Sequence, residues 1–102
     1  MQILITFKNV DASEYLKTYV EEKLERLEKI MISAVTADVV FQEEKQGKRV
    51  DVKLTGKGIE VHATETGGAW NEAIDLVVDK VKKQLVRTKD KIQDHRAEPA
   101  RG

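Results

Sequence analysis

Residues 2–8 alternate, with Ile3, Ile5 and Phe7 on one side and Gln2, Leu4, Thr6 and Lys8 on the other, the period-two signature of a strand with one buried face. From Asp11 the period lengthens. Asp11 with Glu14 three residues on has the form of a capping box, and apolar residues recur at Leu16, Tyr19, Val20, Leu24, Leu27, Ile30 and Met31. This spacing predicts an amphipathic helix of about five turns. Glu14, Glu21, Glu25 and Glu28 line its opposite face, while Lys23 falls inside the apolar stripe, where a lysine snorkels from the edge of a core. Residues 35–44, 48–55 and 58–65 read as three more strands, and Val50, Val52, Leu54 and Ile59, Val61, Ala63 alternate against polar partners. Gln46-Gly47 and Gly56-Lys57-Gly58 supply turns for two antiparallel hairpins. After Gly67-Gly68 comes the longest element, a helix with Trp70, Ala73, Ile74, Val77, Val78, Val81, Leu85 and Ile92 in one sector. Pro99 is expected to end it.

The order β-α-β-β-β-α gives four strands with one apolar face and two helices with one apolar stripe each. An α+β, two-layer sandwich follows, with both helices on one face of a four-stranded mixed sheet. The first strand-helix-strand unit should cross over right-handed and leave strands one and two parallel. The open face of the sheet would carry Arg49, Asp51, Lys53, Glu60 and His62 to solvent. With 102 residues the chain suits one domain, expected over 1–95, with 96–102 as a flexible C-terminal tail.

Composition removes several possibilities. No cysteine is present, so disulfides and thiolate metal sites are excluded and a reducing, cytoplasmic setting is the natural reading. The opening MQILITF lacks the form of a signal peptide, and no apolar run approaches the roughly 20 residues that cross a bilayer, so no membrane partner is expected. Catalytic chemistry is equally sparse. The serines are Ser13 and Ser33 and the histidines His62 and His95, which offers no nucleophile-base arrangement. Glu60 and His62 share a strand face but lack a third ligand, and the glycines match no phosphate loop. We therefore expect no enzyme, cofactor, metal or small-molecule substrate.

Charge is informative by position. Net charge is zero, yet residues 1–79 hold 10 Lys+Arg against 15 Asp+Glu, and residues 80–102 hold 8 against 3. At 100° per residue, Lys80, Lys83, Arg87 and Lys91 occupy a sector about 80° wide on the outer surface of the second helix. The line they form is about 17 Å long, comparable with the reach of several phosphates. Lys82 and Lys89 flank the apolar stripe. Basic residues at a helix end also solvate it and complement its dipole, but that effect fades within the last turn and leaves Lys80 and Lys83 unexplained. Lys45, Lys48, Arg49, Lys53 and Lys57 form a second basic cluster in the hairpins, diluted by Glu43, Glu44 and Asp51, which would add a second positive edge. Four phosphate contacts imply a slope of roughly −3 in log K against log salt, enough for weak nonspecific binding. The five aromatics, Phe7, Tyr15, Tyr19, Phe41 and Trp70, fall mostly on core faces, so shape readout of a folded RNA is expected rather than stacking of single strands.

The stretch 69–91, AWNEAIDLVVDKVKKQLVRTKDK, resembles the last helix of the ribosome hibernation-promoting factors, or ribosome-associated inhibitors. It carries Ala73-Ile74-Asp75, Asp79-Lys80, Lys83-Gln84-Leu85 and the alternating Arg87, Lys89 and Lys91. Further matches are Met1-Gln2-Ile3-x-Ile5-Thr6, Lys23-Leu24, Lys29 and Gly58-Ile59-Glu60-Val61-His62-Ala63. The resemblance covers nearly residues 1–95 and implies a domain similar in layout to double-stranded-RNA-binding domains. It also implies that the protein sits on the small ribosomal subunit and its rRNA, filling the mRNA and tRNA channel and blocking translation in stationary or starved bacteria. RNA-binding positions carried over on the motif are Lys80, Lys83, Arg87, Lys89 and Lys91, with Lys23 added. Trp70-Asn71 stands where the family more usually has a Met-Tyr type pair. The chain ends soon after the second helix, without the dimerisation domain of the long forms, so the resemblance is to the short form, which acts on single ribosomes or makes dimers with a partner such as ribosome modulation factor.

Two other classes remain open on the residues. One is a protein-interaction module or a general structured-RNA regulator, docking through an open sheet edge or through Leu76, which lies outside the core sector. The other is an enzyme built on Glu60 and His62.

Overall fold

The computed structural model describes residues 1–31 and 33–101, with side chains placed for 1–31 and 33–87. Strand β1 (Gln2–Lys8) is followed by helix α1 (Glu14–Glu25), a 3₁₀ helix (Arg26–Ile30), strands β2 (Val35–Glu44), β3 (Gly47–Gly56) and β4 (Ile59–Gly67), and helix α2 (Trp70–Arg101). The four strands make one sheet in the order β1-β2-β3-β4. β1 and β2 are parallel, from Gln2↔Thr36 to Lys8↔Gln42, and the two hairpins are antiparallel. The mixed sheet and the β-α-β-β-β-α order expected from the periodicity are both present.

Three local expectations are corrected. Ser13 caps α1, not Asp11: its backbone is extended (φ −131°, ψ 116°) and its Oγ accepts from the Leu16 N–H at 3.2 Å. Asp11 lies outside the helix, so Glu14 is the first helical residue and no capping box forms. The expected five-turn helix is 12 residues of α-helix followed by five of 3₁₀. Leu24, Leu27 and Ile30 are spaced by three, and three residues per turn keeps all three on the core side where 3.6 would rotate them away. Lastly, α2 continues to Arg101, past the Pro99 at which the sequence places its end.

The hairpin turns have the chemistry their residues announce. Each is a two-residue connection, between Glu44 and Gly47 and between Gly56 and Ile59. Gly58 sits at φ 76° and Gly47 at φ 143°, and a Cβ on Gly47 would lie 2.6 Å from the Gly67 carbonyl oxygen.

Both helices cover the same face of the sheet. The core joins Leu16, Val20, Leu24 and Leu27 to Val39, Phe41, Val50, Val52, Leu54, Val61 and to Ala73, Ile74, Val77, Val81 and Leu85, and no charged or polar side chain is buried among the described residues. Phe41 is its largest buried member. It stacks on Phe7 at 4.8 Å between ring centroids and meets Trp70 edge-on at 5.6 Å, so the unusual Trp70, half-buried, packs against the core and anchors the start of α2. Gln84 donates to the His62 carbonyl at 3.2 Å and pins α2 to β4.

Candidate nucleic-acid interface

Burial of Ile74, Val77, Val81 and Leu85 against the sheet fixes the rotation of α2 and turns its opposite side to solvent. On that side stand Lys80, Lys83 and Arg87, all exposed, with the exposed Leu76 at the head of the same line. Three of the five α2 positions expected from the sequence are thus brought onto one outer face. Lys89 and Lys91 lie outside the residues whose side chains are described.

The line is not a bare row of cations. Lys80 Nζ lies 3.2 Å from a Glu65 carboxylate oxygen of β4, and Lys83 Nζ lies 3.1 Å from Asp79, one helical turn back. Arg87 has no ion pair among the described residues. Beside it, Asp79, Lys82, Lys83, Val86 and Arg87 line a shallow depression with a largely apolar floor.

Lys23 is apart from this line, on the seam between the helices. α1 and α2 run side by side in the same direction, joined by a ladder of polar contacts. Asn71 donates to the Tyr15 hydroxyl at 2.8 Å, Tyr19 donates to Asp75 at 2.7 Å, and Lys23 Nζ sits 3.3 Å from the same Asp75 oxygen and 5.5 Å from the Tyr19 ring centroid. The hydrogen bond to Asp75 raises the Tyr19 hydroxyl above its ordinary value near 10, because it favours the protonated form. Lys23 therefore snorkels and pairs at once: its stem follows the apolar stripe and its ammonium closes the helix seam.

Below Lys23 the seam opens into a groove of about 420 Å³ lined by Arg26, Lys29 and Lys82, with Leu27, Ile30 and Val78 along its floor and Asp75 and Asp79 on the α2 side. Sequence reasoning did not single out Arg26 and Lys29 as a set. A signal was there, because Lys23, Arg26 and Lys29 recur every third residue, the period of the 3₁₀ segment that carries the last two.

The second basic cluster does not form one surface. Pleating sends Lys48 to the helix side, where it lies 5.5 Å from the Trp70 ring centroid and 3.1 Å from Glu43, while Arg49 and Lys53 face the open side. Arg49 is held by Glu44 at 3.0 Å and Asp51 at 3.3 Å, and these two carboxylates raise its affinity for its proton still further. Lys45 and Lys57 occupy turns at opposite ends of β3. The expected second positive edge is thus divided between faces, and two of its five cations, Lys48 and Arg49, already hold carboxylates.

Glu60 and His62 are exposed on the open face of β4, His62 opposite Lys53 and Glu60 opposite Thr55. Among the described residues no group of three His, Cys, Asp or Glu side chains is placed to hold a metal ion. Among the described residues no helix is long and apolar enough to cross a membrane.

Fold and site together define a small α+β protein with a cationic helix face. The chain belongs to the family described as Sigma 54 modulation protein / S30EA ribosomal protein, whose sequence profile matches residues 3–93. It is 36% identical over 95 residues to the ribosome hibernation promoting factor of Escherichia coli K12, a match that spans 93% of this chain and 100% of that protein. The factor of the same name from Azotobacter vinelandii is 34% identical over 91 residues, covering 89% of this chain and 85% of the relative. Among solved structures, the N-terminal domain of Thermus thermophilus Protein Y superposes with a TM-score of 0.77 at 27% identity, over 85% of this chain and 98% of that one. A ribosomal subunit interface protein from Coxiella burnetii gives a TM-score of 0.77 at 26% identity, over 88% and 99%.

Proposed function

We propose that this protein is a ribosome-binding hibernation factor of the cytoplasm that inhibits translation by occupying the mRNA and tRNA channel of the small subunit. It acts by filling space and neutralising phosphate, without catalysis or a cofactor. The observation that carries the reading is the outward line Lys80, Lys83 and Arg87 on α2, in a chain whose relatives are named for ribosome hibernation. Lys89 and Lys91 extend that line in our proposal. Lys23 adds a cation at the seam, beside Arg26, Lys29 and Lys82 across the groove.

The physical logic is that of a rigid positive face against a folded polyanion. Phosphate contacts give affinity and register but no sequence information, so the outline of the two-layer domain must select the site. The test is co-sedimentation with isolated small subunits on a gradient, comparing wild type with Lys83→Glu/Arg87→Glu. Wild type should travel with the subunits and the double variant should remain at the top. Equal binding by both would remove the α2 line as the contact surface. Binding that is insensitive to salt and directed at a protein would favour the interaction-module reading through Leu76.

A further inference from the structure

Two of the three described cations on the outer line of α2 already hold a carboxylate. One of these carboxylates, Asp79, is an ordinary i,i+4 partner for Lys83, at 3.1 Å. The other is not local: Glu65 comes from the helix-facing side of β4, opposite the buried Val50, and its oxygen reaches Lys80 at 3.2 Å. The two acids flank the line on opposite sides, Asp79 toward the groove against α1 and Glu65 from β4. Both pairs remain in contact with water, with Lys80 52% and Lys83 71% exposed, so neither is locked by burial.

We propose that Glu65 and Asp79 are specificity-determining residues, internal occupants of the phosphate seats at Lys80 and Lys83 that an RNA must displace. This rests on the RNA-binding reading of α2 and concerns how that face discriminates. An RNA phosphate that arrives at one lysine only exchanges one anion partner for another and gains little, since exposed ion pairs are weak. It also comes to lie beside a released carboxylate of its own sign. An RNA whose shape presents phosphates to Lys80, Lys83 and Arg87 together makes both exchanges and adds the contact at Arg87, which has no carboxylate to displace among the described residues. The two acids thus reduce affinity for arbitrary RNA more than for the one surface that fits, the repulsive half of a specific interface.

The experiment measures binding of the full chain to two probes, a 20-base-pair RNA duplex of arbitrary sequence and isolated small subunits. Wild type is compared with Glu65→Gln, Asp79→Asn and the double variant. A control, Asp38→Asn/Glu60→Gln, removes the same charge from the open sheet face. The double variant should bind the duplex about three- to tenfold more tightly, as loss of two weak competing pairs implies, and should gain less on the small subunit. The control should bind the duplex as wild type does. Unchanged or weaker duplex binding by a folded double variant overturns the inference, as does an equal gain on both probes or an equal gain by the control. Failure of the ribosome reading looks different: wild type then ignores small subunits while the duplex comparison still reports on Glu65 and Asp79.

Discussion

Phe41 is the largest fully buried side chain, with Phe7 stacked on it and Trp70 edge-on to it. Phe41→Ala should lower stability by about 3–5 kcal/mol, a large part of what a domain of this size possesses, measurable by urea unfolding. Gly47→Ala should cost more than about 1 kcal/mol in the same assay, because the new Cβ meets the Gly67 carbonyl and φ is in glycine's range. Tyr19 gives a pH-dependent case. Its proton is held more tightly in the folded chain than in the unfolded one, so its hydrogen bond to Asp75 stabilises below about pH 10 and is lost as pH rises through the higher folded value. The stability difference between wild type and Tyr19→Phe should therefore be present at neutral pH and vanish in the strongly alkaline range. A difference that grew with pH would contradict the Asp75 contact.

At the scale of elements, α2 buries one side in the core, and the binding role proposed for the other can be measured by salt. Replacing Lys83 by Gln should flatten the plot of log K against log salt for small-subunit binding by roughly 0.7–0.9, the contribution of one phosphate. A parallel shift without change of slope would mean that Lys83 meets no phosphate. The same helix shows what could be read from sequence. Its apolar sector, Ala73, Ile74, Val77, Val78, Val81 and Leu85, is buried as the 3.6-residue period requires, and that alone turns Lys80, Lys83 and Arg87 outward. The strands were as legible, since period-two patterns and glycine turns are local signals. Glu65 beside Lys80 was not, because the contact depends on how α2 lies against β4. The acids Glu43, Glu44 and Asp51 were visible among the hairpin cations, but their pairing across the strands was not: register sets Lys48 opposite Glu43 and brings Glu44 diagonally to Arg49. The Ser13 cap was missed for a subtler reason. Asp11 and Ser13 are both good caps, and only the extended backbone at Ser13 decides between them.

For the whole molecule, the helix side sets the cations of α2 and of the groove beside the carboxylates of α1, while on the open sheet face Arg49 is held by Glu44 and Asp51. The chain's absence of cysteine allows single-site labelling without background. The direct test of the central claim places one cysteine at the head of the α2 line, Leu76→Cys, and another on the open sheet face, Thr6→Cys, both at exposed positions. Each is tethered to iron-EDTA and bound to small subunits, and hydroxyl-radical cleavage of the rRNA is mapped. Strong, localised cleavage of small-subunit RNA from position 76, with weaker or separate cleavage from position 6, is the expected result. Cleavage from position 6 with none from position 76 would contradict the assignment of the helix face to RNA.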